Sequence, residues 1–186
     1  MVEKINQRVK LTKRLLKDTL IEILKTKSIY KVSIRELCEK AGINRSTFYK
    51  YYGNQFDLLT EMEEDMLALS IKALSTPTNN VFQSLCEIFC YLEENLELGR
   101  LLINNNVDPQ FPKKFFSLPP VQQEINRVLG SNYSETEYKY LSCFLTYGSY
   151  QIIRMWINKE NRETPEEMAA LILNQIVRMV QGYRKE

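Results

Sequence analysis

Ser33-Ile34-Arg35-Glu36-Leu37-Cys38-Glu39-Lys40-Ala41-Gly42-Ile43-Asn44-Arg45-Ser46-Thr47-Phe48-Tyr49-Lys50-Tyr51-Tyr52 is the stretch that decides how this chain folds. Ser33 and Glu36 stand at capping-box spacing, where the serine oxygen accepts the amide of the glutamate and the carboxylate returns to the serine amide, so a helix begins at Ile34. Val32 and Leu37 occupy the positions of a hydrophobic staple, and Ala41-Gly42 stops the helix early. Asn44 then caps a further helix, Arg45 to about Tyr52, with Ile43 and Phe48 as a second staple. Two short helices parted by a glycine turn make a helix-turn-helix.

The same local signals extend outward. Leu16, Leu20, Ile23 and Leu24 share one face of a helix from about Lys13 to Thr26, and Gln7 to Thr12 either continue it or form a basic arm. Asn54 caps a long helix that carries Phe56, Leu59, Met66 and Leu69 toward Leu74. The polar run Ser75-Thr76-Pro77-Thr78-Asn79-Asn80 separates it from a helix over Val81 to Asn95 with Phe82, Leu85, Phe89 and Leu92 on its apolar face. Asn104 to Pro120, with its asparagine run and four prolines, reads as loop plus short helical pieces. Ser134-Glu135-Thr136-Glu137 opens a long helix to about Asn158, and Thr164-Pro165-Glu166-Glu167 opens a last one to about Tyr183. That last helix presents Met168, Leu171, Ile172, Ile176, Met179 and Val180, a face wide enough for both its own core and a partner subunit. The expected fold is all-α, with no strand.

Composition narrows the function. Among 186 residues, 44% apolar and 26% charged, there is no histidine, so a Ser-His-Asp triad, a Cys-His pair and a His-ligated metal are excluded. The four cysteines, Cys38, Cys86, Cys90 and Cys143, form no C-x-x-C pair and read as small apolar side chains in a reducing compartment. Cys86 and Cys90, one helical turn apart, also have the spacing of a redox pair. No apolar run approaches the ~18 residues of a membrane span and the amino end lacks a secretory pattern, so a cytoplasmic protein is expected. Residues 1–60 hold 13 Lys/Arg against 6 Asp/Glu, whereas 61–186 hold 12 against 17. The basic part is suited to a polyanion; the acidic remainder does something else.

The helix at 45–52 fits a major groove: it is short, it buries Phe48 and Tyr52 inward, and it leaves Arg45, Ser46, Thr47, Tyr49, Lys50 and Tyr51 outside. Arg45 can pair bidentately with guanine O6 and N7, Lys50 can reach base or phosphate, and the hydroxyls can donate to phosphate. Ser33-Ile34-Arg35-Glu36-Leu37-Cys38, Ala41-Gly42-Ile43-Asn44, Ser46-Thr47-Phe48-Tyr49-Lys50-Tyr51-Tyr52 and Asp57-Leu58-Leu59 together resemble the DNA-binding domain of TetR-type transcriptional regulators. The resemblance implies DNA contacts from Ser33, Arg35, Arg45, Ser46, Thr47, Tyr49, Lys50, Tyr51 and Gln55. Gln55 departs from the lysine usual at its position, which implies a weaker phosphate anchor, and Ser28 replaces the usual glycine before the second helix. Gly148, Trp156 and Pro165-Glu166-Glu167-Met168 are similar to one group of TetR-like C-terminal domains.

The resemblance further implies a three-helix DNA-binding domain over 1–58, followed over 59–186 by a helical domain that binds an effector and dimerises through the last two helices. Its partners would be a pseudo-palindromic double-stranded DNA operator, a second copy of the chain and a small molecule of unidentified chemistry. No catalytic residue, cofactor, metal or membrane is expected, and repression is the expected outcome. Tyr91, Phe115, Phe116, Tyr140, Phe144, Tyr147, Tyr150 and Trp156 are aromatic candidates for an effector cavity, although each also reads as plain core, and none is assigned. The acidic balance of this half favours a cationic or neutral effector. The rival reading is a regulator-like protein whose C-terminal domain binds a protein partner, with DNA contact secondary or lost.

Overall fold

The computed structural model describes residues 2–77, 80–104, 107–130 and 133–182, and among these it contains ten helices and no strand. Thr78, Asn79, Asn105, Asn106 and Tyr183, which entered the sequence reading above, lie outside the described residues. The chain divides into two compact units, the first running to Met66 and the second starting at Leu67.

The first unit is built from α1 (Val2–Leu24), a 3₁₀ turn (Ile29–Lys31), α2 (Ile34–Ala41), α3 (Arg45–Phe48) and the opening of α4 (Gln55–Ser75). Leu16, Leu20 and Ile23 are buried with Val32, Leu37, Phe48, Leu58 and Met62, which is the single apolar face that the spacing in α1 requires. α1 starts at Val2, well before Lys13, so Gln7 to Thr12 continue the helix rather than forming a separate arm. Nothing in 2–12 interrupts it, since neither glycine nor proline occurs there. α3 is shorter than its sequence signal: helical pairing ends at Phe48, and Tyr49–Tyr52 continue as a turn.

The second unit holds the remainder of α4 with α5 (Val81–Glu94), α6 (Leu96–Ile103), α7 (Phe111–Phe116), α8 (Pro119–Leu129), α9 (Glu135–Asn158) and α10 (Pro165–Gly182). α5 packs along α10, and α6 and α8 pack on α9. Trp156 lies buried edge-on to Phe89, with ring centroids 5.1 Å apart, and its indole N–H donates to the Glu163 carbonyl at 2.8 Å. α6 approaches so closely that a Cβ on Gly99 would lie 2.6 Å from Ile157 Cδ1.

Two helices of this unit depart from the sequence reading. The segment after Glu94 resumes at once as α6, and the region around Pro119-Pro120 begins α8. Those prolines occupy the first helical positions, where a missing N–H costs nothing, so they start a helix instead of breaking one. Phe82, expected on the inner face of α5, is exposed, and Leu171 of α10 is exposed as well. The capping boxes expected at Ser134 and Thr164 form, the latter with Glu167 N–H on Thr164 Oγ1 at 3.2 Å and Thr164 N–H on Glu167 Oε2 at 2.8 Å, and a further one that the sequence reading lacks forms at Asn80.

Candidate nucleic-acid interface

Local chemistry places every part of the helix-turn-helix. Ser33 Oγ accepts the Glu36 N–H at 3.2 Å, while the Glu36 carboxylate is taken chiefly by Lys27 Nζ at 2.7 and 2.9 Å. That lysine holds the Glu36 carboxyl below the usual carboxylate range. Gly42 ends α2 with φ of 66°, and Ile43 N–H reaches back to the Cys38 carbonyl at 3.0 Å, a closure that a residue with a Cβ would strain. Asn44 Oδ1 then accepts from the Ser46 amide at 3.1 Å and from its hydroxyl at 3.2 Å.

These constraints aim α3. Phe48 and Tyr52, four residues apart, are buried with ring centroids 5.5 Å from each other. Arg45, Ser46, Tyr49 and Lys50 are therefore left exposed on the other side, with Thr47 and Tyr51 half-buried at its edges. Among the described residues neither Arg45 nor Lys50 is ion-paired, whereas the exposed Arg35 is held by Glu39 at 2.8 Å. An unpaired cation on an exposed turn loses no protein partner when it meets phosphate or a base edge.

The start of α4 is tied down next to this surface. Asn54 Oδ1 accepts from the amides of Phe56 and Asp57 at 2.8 and 3.1 Å, and Asp57 Oδ2 accepts from Gly53 and Asn54 at 2.8 and 3.3 Å. Gln55 turns its amide inward, donating to the Ile29 carbonyl at 3.4 Å. The sequence reading has Phe56 only as an apolar residue of the long helix and does not pair it with Tyr30; the two form an exposed aromatic pair with ring centroids 5.3 Å apart. Nor did it pair α1 with α4: Lys13 bonds Glu61 at 2.6 Å, and Lys17 bonds Glu61 at 2.7 Å and Asp65 at 2.6 Å. The only prior sign is that both basic and both acidic members are four residues apart. Burial alone would raise the Glu61 carboxyl, but the two ammonium groups outweigh it and hold it below its ordinary range. Burial, and then the Glu61 charge, push the Tyr52 phenol up, so it stays protonated.

Residues 18–62 match the family described as bacterial regulatory proteins, tetR family, and residues 79–178 match the one described as transcriptional regulator C-terminal region. The chain belongs to the TetR family of transcriptional regulators. Its amino-terminal match is to the DNA-binding domain of such regulators. A curated relative, the uncharacterized HTH-type transcriptional regulator YxbF of Bacillus subtilis, is 23% identical over 161 residues, covering 82% of this chain but only 41% of that protein. This TetR-family chain thus spans less than half the length of the curated relative it matches.

Solved structures agree in fold. A TetR transcriptional regulator from Streptococcus agalactiae superposes with a TM-score of 0.67 at 21% identity, over 97% of this chain and 99% of that one. The dihydroxyacetone kinase operon activator DhaS gives 0.60 at 19%, over 91% and 96%. Gly148, Trp156 and Pro165 to Met168 all fall within the matched C-terminal region of the TetR regulator. Among the described residues no helix is long and apolar enough to cross a membrane.

The aromatic candidates of the second unit separate by position. Phe115 and Phe116 line a half-open apolar pocket of about 120 Å³, together with Leu85, Phe89, Ile125, Leu145 and Ile172. Tyr150 donates its hydroxyl to the Ile103 carbonyl at 2.6 Å, and Trp156 is core. Tyr140, Phe144 and Tyr147 point outward from α9, at 71, 66 and 69% exposure. Cys86 and Cys90 are free thiols pushed up by burial first and then by nearby carboxylates, the opposite of the activation a redox sensor needs.

Proposed function

We propose that this chain is a ligand-responsive repressor that binds a pseudo-palindromic operator as a homodimer, reading base edges through Arg45, Ser46, Thr47, Tyr49, Lys50 and Tyr51. Ser33, Arg35 and Gln55 add backbone or flanking contacts, that of Gln55 weakened by its bond to Ile29. One observation carries the reading: α3 and the turn after it are buried on the Phe48 side and present on the other Arg45 and Lys50, neither ion-paired among the described residues. In this reading residues 1–58 meet DNA and 59–186 bind the effector and the second copy.

Two features of the second unit support that division. The outward face of α9, bearing Tyr140, Phe144, Tyr147 and Met155, continues into an open groove of about 570 Å³ lined by Gly148, Ile152, Gln175 and Met179 of α9 and α10. Large exposed apolar patches are interaction surfaces more often than solvent faces, and one helix-turn-helix covers only a half-site. The apolar pocket suits the effector. Its only carboxylate, Glu124, is already bridged by Arg127 at 2.7 Å, which favours a neutral apolar ligand over a cation. At about 120 Å³ it is smaller than the ~150 Å³ of an engineered cavity that takes benzene, so the ligand it suits is no larger than a single ring or a short chain. A ligand that prefers the conformer with displaced reading helices would lower operator affinity by population shift.

Selection of bound sites from random duplexes tests the core of this reading. An enriched inverted repeat, with affinity falling steeply as salt rises, is expected. No enriched sequence, or binding indifferent to salt, would overturn it. The inward turn of Gln55 favours a second reading, in which the C-terminal domain binds a protein partner and DNA contact is secondary. Co-purification of a stoichiometric partner together with failed selection would support that alternative.

A further inference from the structure

α3 has a single helical turn, too short to hold its own shape, and its amino end alone is fixed by a cap. Something must hold the other end. Tyr51 and Tyr52 close the turn after α3, with Tyr52 buried against Phe48. The Lys13 ammonium stands 5.4 Å from the centroid of the Tyr52 ring and 5.9 Å from that of Tyr51, within cation–π range of both. The same ammonium is 2.6 Å from Glu61 Oε2, while Lys17 grips Glu61 Oε1 at 2.7 Å and Asp65 at 2.6 Å.

We propose that Lys13 and Glu61 are positioning residues for operator recognition: Glu61, braced by Lys17 and Asp65, holds the Lys13 cation against Tyr51 and Tyr52 and thereby fixes the carboxyl end of the reading helix. Lys13 and Lys17 lie one turn apart on α1, and Glu61 and Asp65 one turn apart on α4, so two helices meet as a ladder of alternating charge beside the aromatic pair. Lys13 and Glu61 are both partly shielded from water, where such contacts are screened less than on an open surface. The inference rests on α3 being the helix that reads DNA.

The sign of one substitution separates positioning from plain charge. Glu61→Gln removes a negative charge from a basic unit, so charge alone predicts tighter binding to any DNA. Positioning predicts that affinity for the selected operator falls about ten-fold while affinity for a scrambled duplex of equal length holds or rises slightly. The measurement is the operator-to-scrambled affinity ratio of the full chain in one buffer of fixed salt. An unchanged or increased ratio in Glu61→Gln would overturn the proposal. If that variant does not fold, the decision passes to Lys13→Met and Lys13→Arg: the methionine keeps an apolar stem without charge, the arginine keeps a cation over the rings. The expected result is a ratio lowered by methionine and restored by arginine, and equal ratios in the two would sink the idea. Lys50→Ala and Arg45→Ala serve as controls. Loss of operator affinity there with no change in the Lys13 and Glu61 variants disproves the positioning role alone, whereas no loss in either Lys50→Ala or Arg45→Ala shows that α3 and its following turn do not read DNA.

Discussion

The unit that ends at Met66 and the unit that begins at Leu67 are stabilised in different ways. The first is over-determined by directional contacts: three side-chain caps, a left-handed glycine, a buried Phe48–Tyr52 pair and the Lys13–Glu61–Lys17–Asp65 ladder act together in it. The second is capped too, at Asn80, Ser134 and Thr164, but it leaves an apolar pocket between its helices and an exposed aromatic strip on α9. The contrast fits the proposed roles: a surface matched to fixed base edges tolerates little slack, whereas admitting a ligand and meeting another subunit would need unfilled volume and exposed apolar area.

Substitutions can break that contrast or sharpen it. The largest effect is expected from Phe48→Ala, a fully buried ring in the first unit, at about 3–5 kcal/mol of unfolding free energy. Leu85→Ala, on the wall of an existing cavity in the second unit, should cost only about 2 kcal/mol, the low end of such truncations. Denaturant titration checks both, and equal costs would remove the supposed difference in packing. Next come Phe144→Glu and Tyr147→Glu. Both side chains are exposed on α9, so folding should change by no more than about 0.5 kcal/mol, while dimerisation should weaken by roughly 2 kcal/mol or more. Sedimentation at several concentrations reads this directly; a dimer that survives both charges would place the subunit contact elsewhere.

Smaller shifts concern the caps. Asn44→Ala should cost about 1 kcal/mol by freeing the Ser46 amide, and Gly42→Ala a comparable amount through its left-handed backbone, although nothing lies within 4 Å of the added methyl. Thermal melts distinguish these from Gly148→Ala in the interior of α9, where φ is ordinary and the space is open, so the methyl should raise stability by about 0.5–1 kcal/mol. The smallest effect is the acid dependence of the ladder. Because the Glu61 carboxyl titrates lower in the folded state than its ordinary 4.5, its contribution is present above that value and is lost as pH falls through the folded-state value. Melting temperature measured from neutral to strongly acidic pH should therefore fall less in Glu61→Gln than in the parent chain.

The legible parts of the molecule were those written in local code. Ser33, Asn44, Asn54, Ser134 and Thr164 cap helices where their spacing predicts, because a cap needs only an oxygen and an amide two or three residues on. The exposed side of α3 was legible for the same reason: once Phe48 and Tyr52 are buried at i and i+4, the remaining side chains have one direction left. What stayed hidden depends on distant partners. Lys13 and Glu61 are 48 residues apart, and neither charge announces the other. Tyr140, Phe144 and Tyr147 look like cavity walls in one dimension, since an aromatic side chain carries the same signal whether it faces a core, a ligand or a second subunit. α6 and α8 were obscured because asparagine and proline mark both breaks and beginnings.

Trp156 is the sole tryptophan, and it sits edge-on to Phe89, whose ring also lines the apolar pocket. The chain thus carries a built-in optical probe on one side only: an occupant of that hole should alter indole emission, while events along residues 45–52, whose chromophores are phenylalanine and tyrosine, stay dark in that band. Occupancy of that pocket can therefore be followed through the indole without a label and without interference from the 45–52 segment, whose own events need a separate readout.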